Sequence, residues 1–223
     1  MSKLLIVTCT QAKNQEEFEL KPIFLSLKKQ CETNLNIDFY IFKDNKKGLS
    51  ECYNQIINDP NNKNKTVLFV HDDVILEDLF LYEKLIGSPY SITGLAGAKS
   101  FNKASDKLAW HLCAPREDFV GEVAHIQNGN IWTTVFGPTK SRALVIDGLF
   151  ISCKVNHLIE KTLTFDENFN FHFYDIAFCL RANQQKVSCG VLPIKVVHYG
   201  LGDSMLTPDW EEANSKFKQS YFI

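Results

Sequence analysis

The sequence predicts an α/β fold: a mainly parallel central sheet flanked by helices, with a smaller antiparallel part in the second half. Three observations predict it. Strand-like and helix-like patterns alternate from Lys3 to Gly87, which implies right-handed crossovers between parallel strands. Thr66 to Val70 is apolar or β-branched throughout, the mark of a strand buried on both faces. From Ser91 onward the pattern changes to short β-like runs between polar loops.

In order, Lys3 to Thr8 reads as a buried strand, and Glu16 to Cys31 as a helix with Phe18, Ile23, Phe24 and Leu27 on one face. Pro22 marks its first turn or a break, because proline cannot donate inside a helix. Asn36 to Phe42 is a second strand. Ser50 is the expected N-cap of a short helix that turns Cys52, Tyr53, Ile56 and Ile57 inward. After the strand at Thr66–Val70, Glu77 to Ile86 reads as a helix stopped by Gly87. The second half offers β-like runs at Ile92–Ala98, Leu108–Cys113, Val120–Ile126, Ile131–Phe136 and Ala143–Ser152. A helix over Asp175–Gln184, a strand over Val187–His198 and a polar helix over Pro208–Ser220 complete the chain.

Composition narrows the class. Length, 45% apolar and 22% charged residues suit one soluble α/β core, and a net charge of -2 gives no basic field for nucleic acid. Seven cysteines, an odd number without a C-x-x-C pair, read as free thiols of a reducing compartment. The Leu4–Val7 run is too short for a signal peptide or a membrane span. The predicted location is the cytoplasm.

Chemistry concentrates where strands end. In open α/β sheets, ligands bind at the carboxyl ends of strands, and Thr66–Val70 ends in His71-Asp72-Asp73. Adjacent carboxylates repel unless neutralised, so a divalent cation is their natural partner; a solvated turn would also use them. Asp175 heads a helix, where the macrodipole favours its ionised form, as a general base needs and as an ordinary cap also shows. Val196-Val197-His198 ends a strand in an imidazole suited to a metal or to a hydrogen bond, before a turn through Gly200 and Gly202. Asp147-Gly148 follows another strand and also reads as a plain turn.

Taken together and in order, these segments resemble the GT-A fold glycosyltransferases of the large family 2, over residues 3 to 202. The resemblance rests on Gly48-Leu49-Ser50-Glu51-Cys52-Tyr53-Asn54, Phe69-Val70-His71-Asp72-Asp73-Val74, Asp147-Gly148-Leu149-Phe150, Tyr174-Asp175-Ile176-Ala177-Phe178-Cys179-Leu180-Arg181-Ala182 and Val197-His198-Tyr199-Gly200. It implies one Rossmann-like domain over 1–223, with residues 1–90 binding a nucleotide-sugar and 91–223 binding the acceptor. It also implies Mn²⁺ or Mg²⁺, held by Asp73 and His198. Thr8, Asp44, Asn54, His71 and Asp72 match nucleotide-sugar positions, and Asp147, Gly148, Trp110 and Tyr174 the sugar and acceptor side. Asp175 matches the catalytic base. The implied activity is metal-dependent, inverting transfer from a nucleotide-diphosphate donor, with UDP the expected nucleotide. The implied acceptor is a surface glycan or glycolipid hydroxyl, reached at the inner face of the membrane, and a homodimer is one expected assembly.

Two departures stand out. His71 occupies the first position of the family's D-x-D motif, and Tyr174 stands where glutamate is common. A third departure is Ala177, which stands where a second acidic residue is common. The alternatives are a nucleotidyltransferase, a metal-dependent phosphoesterase or a non-catalytic nucleotide-sugar-binding module. The first lacks a glycine-rich loop after Thr8, and the second has few metal ligands. Trp110, Trp132, Phe136, Phe171 and Phe173 suit either a sugar-binding wall or a Phe-rich core.

Overall fold

The computed structural model describes residues 2–200 and 207–222. Its strands are β1 (Leu4–Cys9), β2 (Ile37–Phe42), β3 (Thr66–Val70), β4 (Val74–Leu76), β5 (Ile92–Gly94), β6 (Ala96–Ala98), β7 (Phe119–Gln127), β8 (Asn130–Val135), β9 (Ser141–Arg142), β10 (Val145–Ile146), β11 (Phe150–Lys154), β12 (Cys189–Val191) and β13 (Val196–His198). The helices are α1 (Gln15–Glu19), α2 (Pro22–Thr33), α3 (Leu49–Asn58), α4 (Leu81–Ile86), α5 (Trp110–Cys113), α6 (Val155–Glu160), α7 (Tyr174–Gln184) and α8 (Pro208–Phe222).

The main sheet has the order β2-β1-β3-β11-β5-β12-β9. Its first three strands are parallel, β11 runs against both β3 and β5, and β12 is parallel to β5. Most strands thus run one way, with β11 and β9 reversed. Val67, Leu68, Phe69 and Val70 are wholly buried between β1 and β11, which explains their unbroken apolar run. A second sheet, β10-β6-β7-β13-β4 with β8 on β7, carries the antiparallel part.

Several expected elements are cut into pieces, and each cut has a cause. The helix expected over Glu16–Cys31 breaks before Pro22, which opens α2 without needing a donor. Gly48, not Ser50, caps α3, and the Ser50 hydroxyl instead donates to the Phe169 carbonyl at 2.7 Å. The helix expected from Glu77 starts only at Leu81. Glu77 is still extended, its N–H bonded to Lys195 O, and the buried Asp78 accepts from the N–H groups of Phe80 and Lys195 and pairs with Lys84. The runs Ile92–Ala98 and Val187–His198 each pass from one sheet to the other, so each becomes two strands. Ala143–Ser152 breaks at Asp147-Gly148. Leu108–Cys113 is not a strand: its end is the single helical turn α5. Helix α6 lay unrecognised behind β11. All seven cysteines are free, and no described helix is long and apolar enough to cross a membrane.

Two devices aim the second half at the end of β3. Asn54 of α3 bonds both backbone groups of Phe165 and the Glu167 carboxylate, at 2.8 to 3.0 Å, pinning the loop before α7. Phe173 caps α7 in a left-handed conformation (φ 66°), a backbone state that costs a bulky residue on the order of 1–3 kcal/mol. Its ring packs on Trp210 and Phe217 of α8, which holds the strained corner in place.

Candidate active site

A cleft of about 980 Å³ opens where β3, the β10–β11 turn, the start of α7, the end of β13 and the β7–β8 hairpin meet. It gathers His71, Asp73, Trp110, Asp147, Gly148, Tyr174, Asp175 and His198 on one surface. Its size is at the upper end of the range for small-ligand sites.

At the floor, Gly148 lets two segments touch. A Cβ there would lie 2.5 Å from the Tyr174 hydroxyl and 3.1 Å from Asp175 Oδ2. The Tyr174 hydroxyl donates to the Gly148 carbonyl at 2.7 Å. Its single proton is therefore spent, and the 3.1 Å contact to His71 Nε2 must be donated by the imidazole. Burial keeps His71 below the usual histidine range and hence neutral, so Nδ1 carries the lone pair. Two of the departures from the family pattern, His71 and Tyr174, are thus bonded to each other.

Beside them, Asp147 accepts from Trp110 Nε1–H and from the Leu149 N–H, both at 3.0 Å, so both its oxygens are held. Asp175 accepts from the Ile176 N–H at 2.8 Å. Burial and the neighbouring Asp147 charge raise Asp175 to about 7, against the pull of the Ile176 and Gly148 N–H groups. A carboxyl poised near neutrality can take up a proton in one step and release it in the next.

Asp73 and His198 meet on the opposite wall, Oδ2 to Nε2, at 3.2 Å. Burial disfavours ionised Asp73, but the His198 hydrogen bond and the nearby imidazoles outweigh it and lower its pKa. Asp73 Oδ1 is buried with no partner among the described residues. Among the described residues no group of three or more His, Cys, Asp or Glu side chains forms a metal cage. An orphaned oxygen beside one imidazole fits an ion that completes its shell with phosphate oxygens and water, the habit of Mg²⁺.

The model of a family described as "Glycosyltransferase like family" matches residues 6–221. The chain belongs to that family. A search of curated proteins returns no match. The mixed sheet and flanking helices agree with a GT-A type fold.

In this glycosyltransferase the remaining sequence-predicted residues lie outside the cleft's lining. Asp72 turns away, accepting from Thr10 Oγ1 at 2.6 Å and pairing with Lys21 at 3.0 Å, and so ties β3 to the turn after β1. Thr8, at the end of β1, has a buried hydroxyl without a partner. Asp44 is half-exposed after β2, left-handed at φ 45° and paired with Lys46. Asn54 has its amide committed to the 165–167 loop. Gly202, in the turn after His198, lies outside the described residues. Sequence reasoning missed His125, which stands beside His198 on parallel neighbouring strands, with ring centroids 5.6 Å apart. It also missed Trp210, which reaches the cleft from α8. No local signal marks either: both arrive through pairings between distant segments.

Proposed function

We propose that this glycosyltransferase moves a sugar from a nucleoside diphosphate donor, with UDP the expected nucleotide, to a hydroxyl of a glycan or glycolipid, with inversion. Asp175 carries the reading, because a carboxyl near pH 7 beside an open cleft is matched to deprotonating a sugar hydroxyl. As the acceptor oxygen attacks the anomeric carbon, its proton passes to the Asp175 carboxylate and the bond to the diphosphate breaks. Asp147, held by Trp110 and Leu149, orients the groups that meet there. Mn²⁺ or Mg²⁺ on Asp73 and His198 would neutralise charge on the departing diphosphate. With Asp147 held by Trp110 and Leu149 and Asp73 assigned to the metal, Asp175 as the one base suits a single displacement rather than a covalent sugar intermediate. The nucleoside is assigned to the ends of β1 and β2, near Thr8 and Asp44.

Calorimetric titration of UDP with and without Mn²⁺ tests the donor half. Binding should need the metal and disappear in Asp73→Ala. If UDP, GDP and CMP all fail to bind with metal present, the donor assignment is wrong. A screen of UDP-sugars for hydrolysis then tests the chemistry, with Asp175→Asn as the inactive control.

A further inference from the structure

We propose that the cleft-facing side of the β7–β8 hairpin is a second sugar subsite. There Trp132 stacks on a ring of an oligosaccharide acceptor, apart from the ring that receives the transferred sugar. The inference rests on the glycosyltransferase reading of the cleft and names the acceptor class it favours.

Strand alternation places the residues. In the antiparallel register Val123 faces Thr134, His125 faces Trp132 and Gln127 faces Asn130, and directly opposed residues share a face. Val123, His125, Gln127 and Thr134 line the cleft, so Trp132 and Asn130 stand on that same face. Among the described residues β8 pairs only with β7, so its outer edge has no strand partner there.

A single exposed tryptophan on a protein surface needs no explanation. Trp132 differs in how it is held. Its ring lies nearly flat on His125, with centroids 5.7 Å apart and planes 24° apart, while the residue remains 38% exposed. His125 is fixed in turn: its Nδ1–H donates to the Gly200 carbonyl at 3.3 Å. The indole is therefore a rigid, uncharged plate at the mouth of the cleft. Gln127, Asn130 and Thr134 surround it with amide and hydroxyl groups. A pyranose has the complementary surface, an apolar C–H face inside a rim of hydroxyls, which an indole with polar neighbours matches.

The plate is also in line with the transfer centre. Phe136, directly after β8, lines the cleft and meets Trp110 at 5.1 Å between centroids, and Trp110 holds Asp147. Four residues of strand separate Trp132 from Phe136, roughly 13 Å at the usual rise, a span that takes more than one sugar ring.

Full-length wild type, Trp132→Ala, Trp132→Phe and Gln127→Ala should be applied to a printed oligosaccharide array, with UDP calorimetry and circular dichroism run in parallel. Wild type should bind a subset of glycans. Trp132→Ala should lose at least tenfold of that signal, Gln127→Ala severalfold, and Trp132→Phe should keep most of it, all with unchanged UDP affinity. Wild-type tryptophan fluorescence should respond to the bound glycan, and Trp132→Phe should abolish that response. Array binding that survives both Trp132→Ala and Gln127→Ala overturns the subsite, as does a wild type that binds no glycan. Trp132-dependent glycan binding without UDP binding would leave the subsite standing and remove the donor reading instead.

Discussion

Asp175 should make the protein less stable as pH rises, and Asp175→Asn should remove that loss. The folded state raises its carboxyl from an ordinary 3.8 to about 7. Between those values the folded state binds a proton that the unfolded chain has released, so stability falls with increasing pH across this window. Below pH 4 the carboxyl is neutral in both states and imposes no penalty. Above pH 7 it is ionised in both, and the full penalty is present. About three pKa units at 1.36 kcal/mol each amount to about 4 kcal/mol. Asparagine cannot ionise and keeps an oxygen for the Ile176 N–H. Urea denaturation of both proteins at pH steps from 4 to 8 isolates the effect, because their difference cancels every other titrating group. The stability gain of Asp175→Asn should start near zero, grow by about 1.4 kcal/mol per pH unit and level off at about 4 kcal/mol. In melting temperature that is about 8–16 °C above pH 7 for a chain of this size. The same variant should lose transfer activity. A gain that does not change with pH, or a wild type that is stabilised over this window, would refute the reasoning.

Gly148→Ala should abolish transfer and cost several kcal/mol in denaturation, about 3 by analogy with overpacked cores, since its Cβ would meet the buried Tyr174 hydroxyl at 2.5 Å. Asn54→Ala leaves the Phe165 N–H and carbonyl unpaired inside the protein and should cost about 2–4 kcal/mol, with hydrogen exchange rising first in residues 163–170. Trp110→Phe keeps the ring but drops the bond to Asp147; kcat should fall about tenfold or more while UDP affinity stays unchanged. Asp73→Ala should lower metal-assisted UDP affinity at least tenfold and also cost some stability near neutral pH, because it removes the oxygen that pairs with His198 and whose ionised form the fold favours.

Much of this layout was legible because its signals are local. Thr66–Val70 is apolar or β-branched at every residue and is wholly or almost wholly buried, so its end could be named as a candidate site before its neighbours were known. Asp147, Asp175 and His198 were legible for the same reason, each closing or opening an element. Pieces shorter than a helical turn and a half were not. An apolar run such as Leu108–Cys113 satisfies strand and helix patterns alike, and only the Ala109 carbonyl, which accepts from Leu112 and Cys113, decides between them. Kinks that carry one run between two sheets, as at Leu95 and Pro193, are tertiary facts. So is the purpose of Asn54, whose partner Phe165 lies 111 residues away.

The His71–Tyr174 bond joins positions 103 residues apart, and it has a consequence for how this chain can change over generations. Tyr174 offers one proton, already given to Gly148. An aspartate introduced at 71 alone would bring only acceptors and compete for that proton. A glutamate introduced at 174 alone would still accept from His71 but would set a carboxylate against the Gly148 carbonyl, which loses its donor. Each single step leaves an acceptor facing an acceptor, and the double exchange to two acids leaves two carboxylates and a carbonyl with no donor between them. Variants of this chain that keep an intact floor should therefore keep histidine and tyrosine together, a mark that a ledger of single-site substitutions would miss.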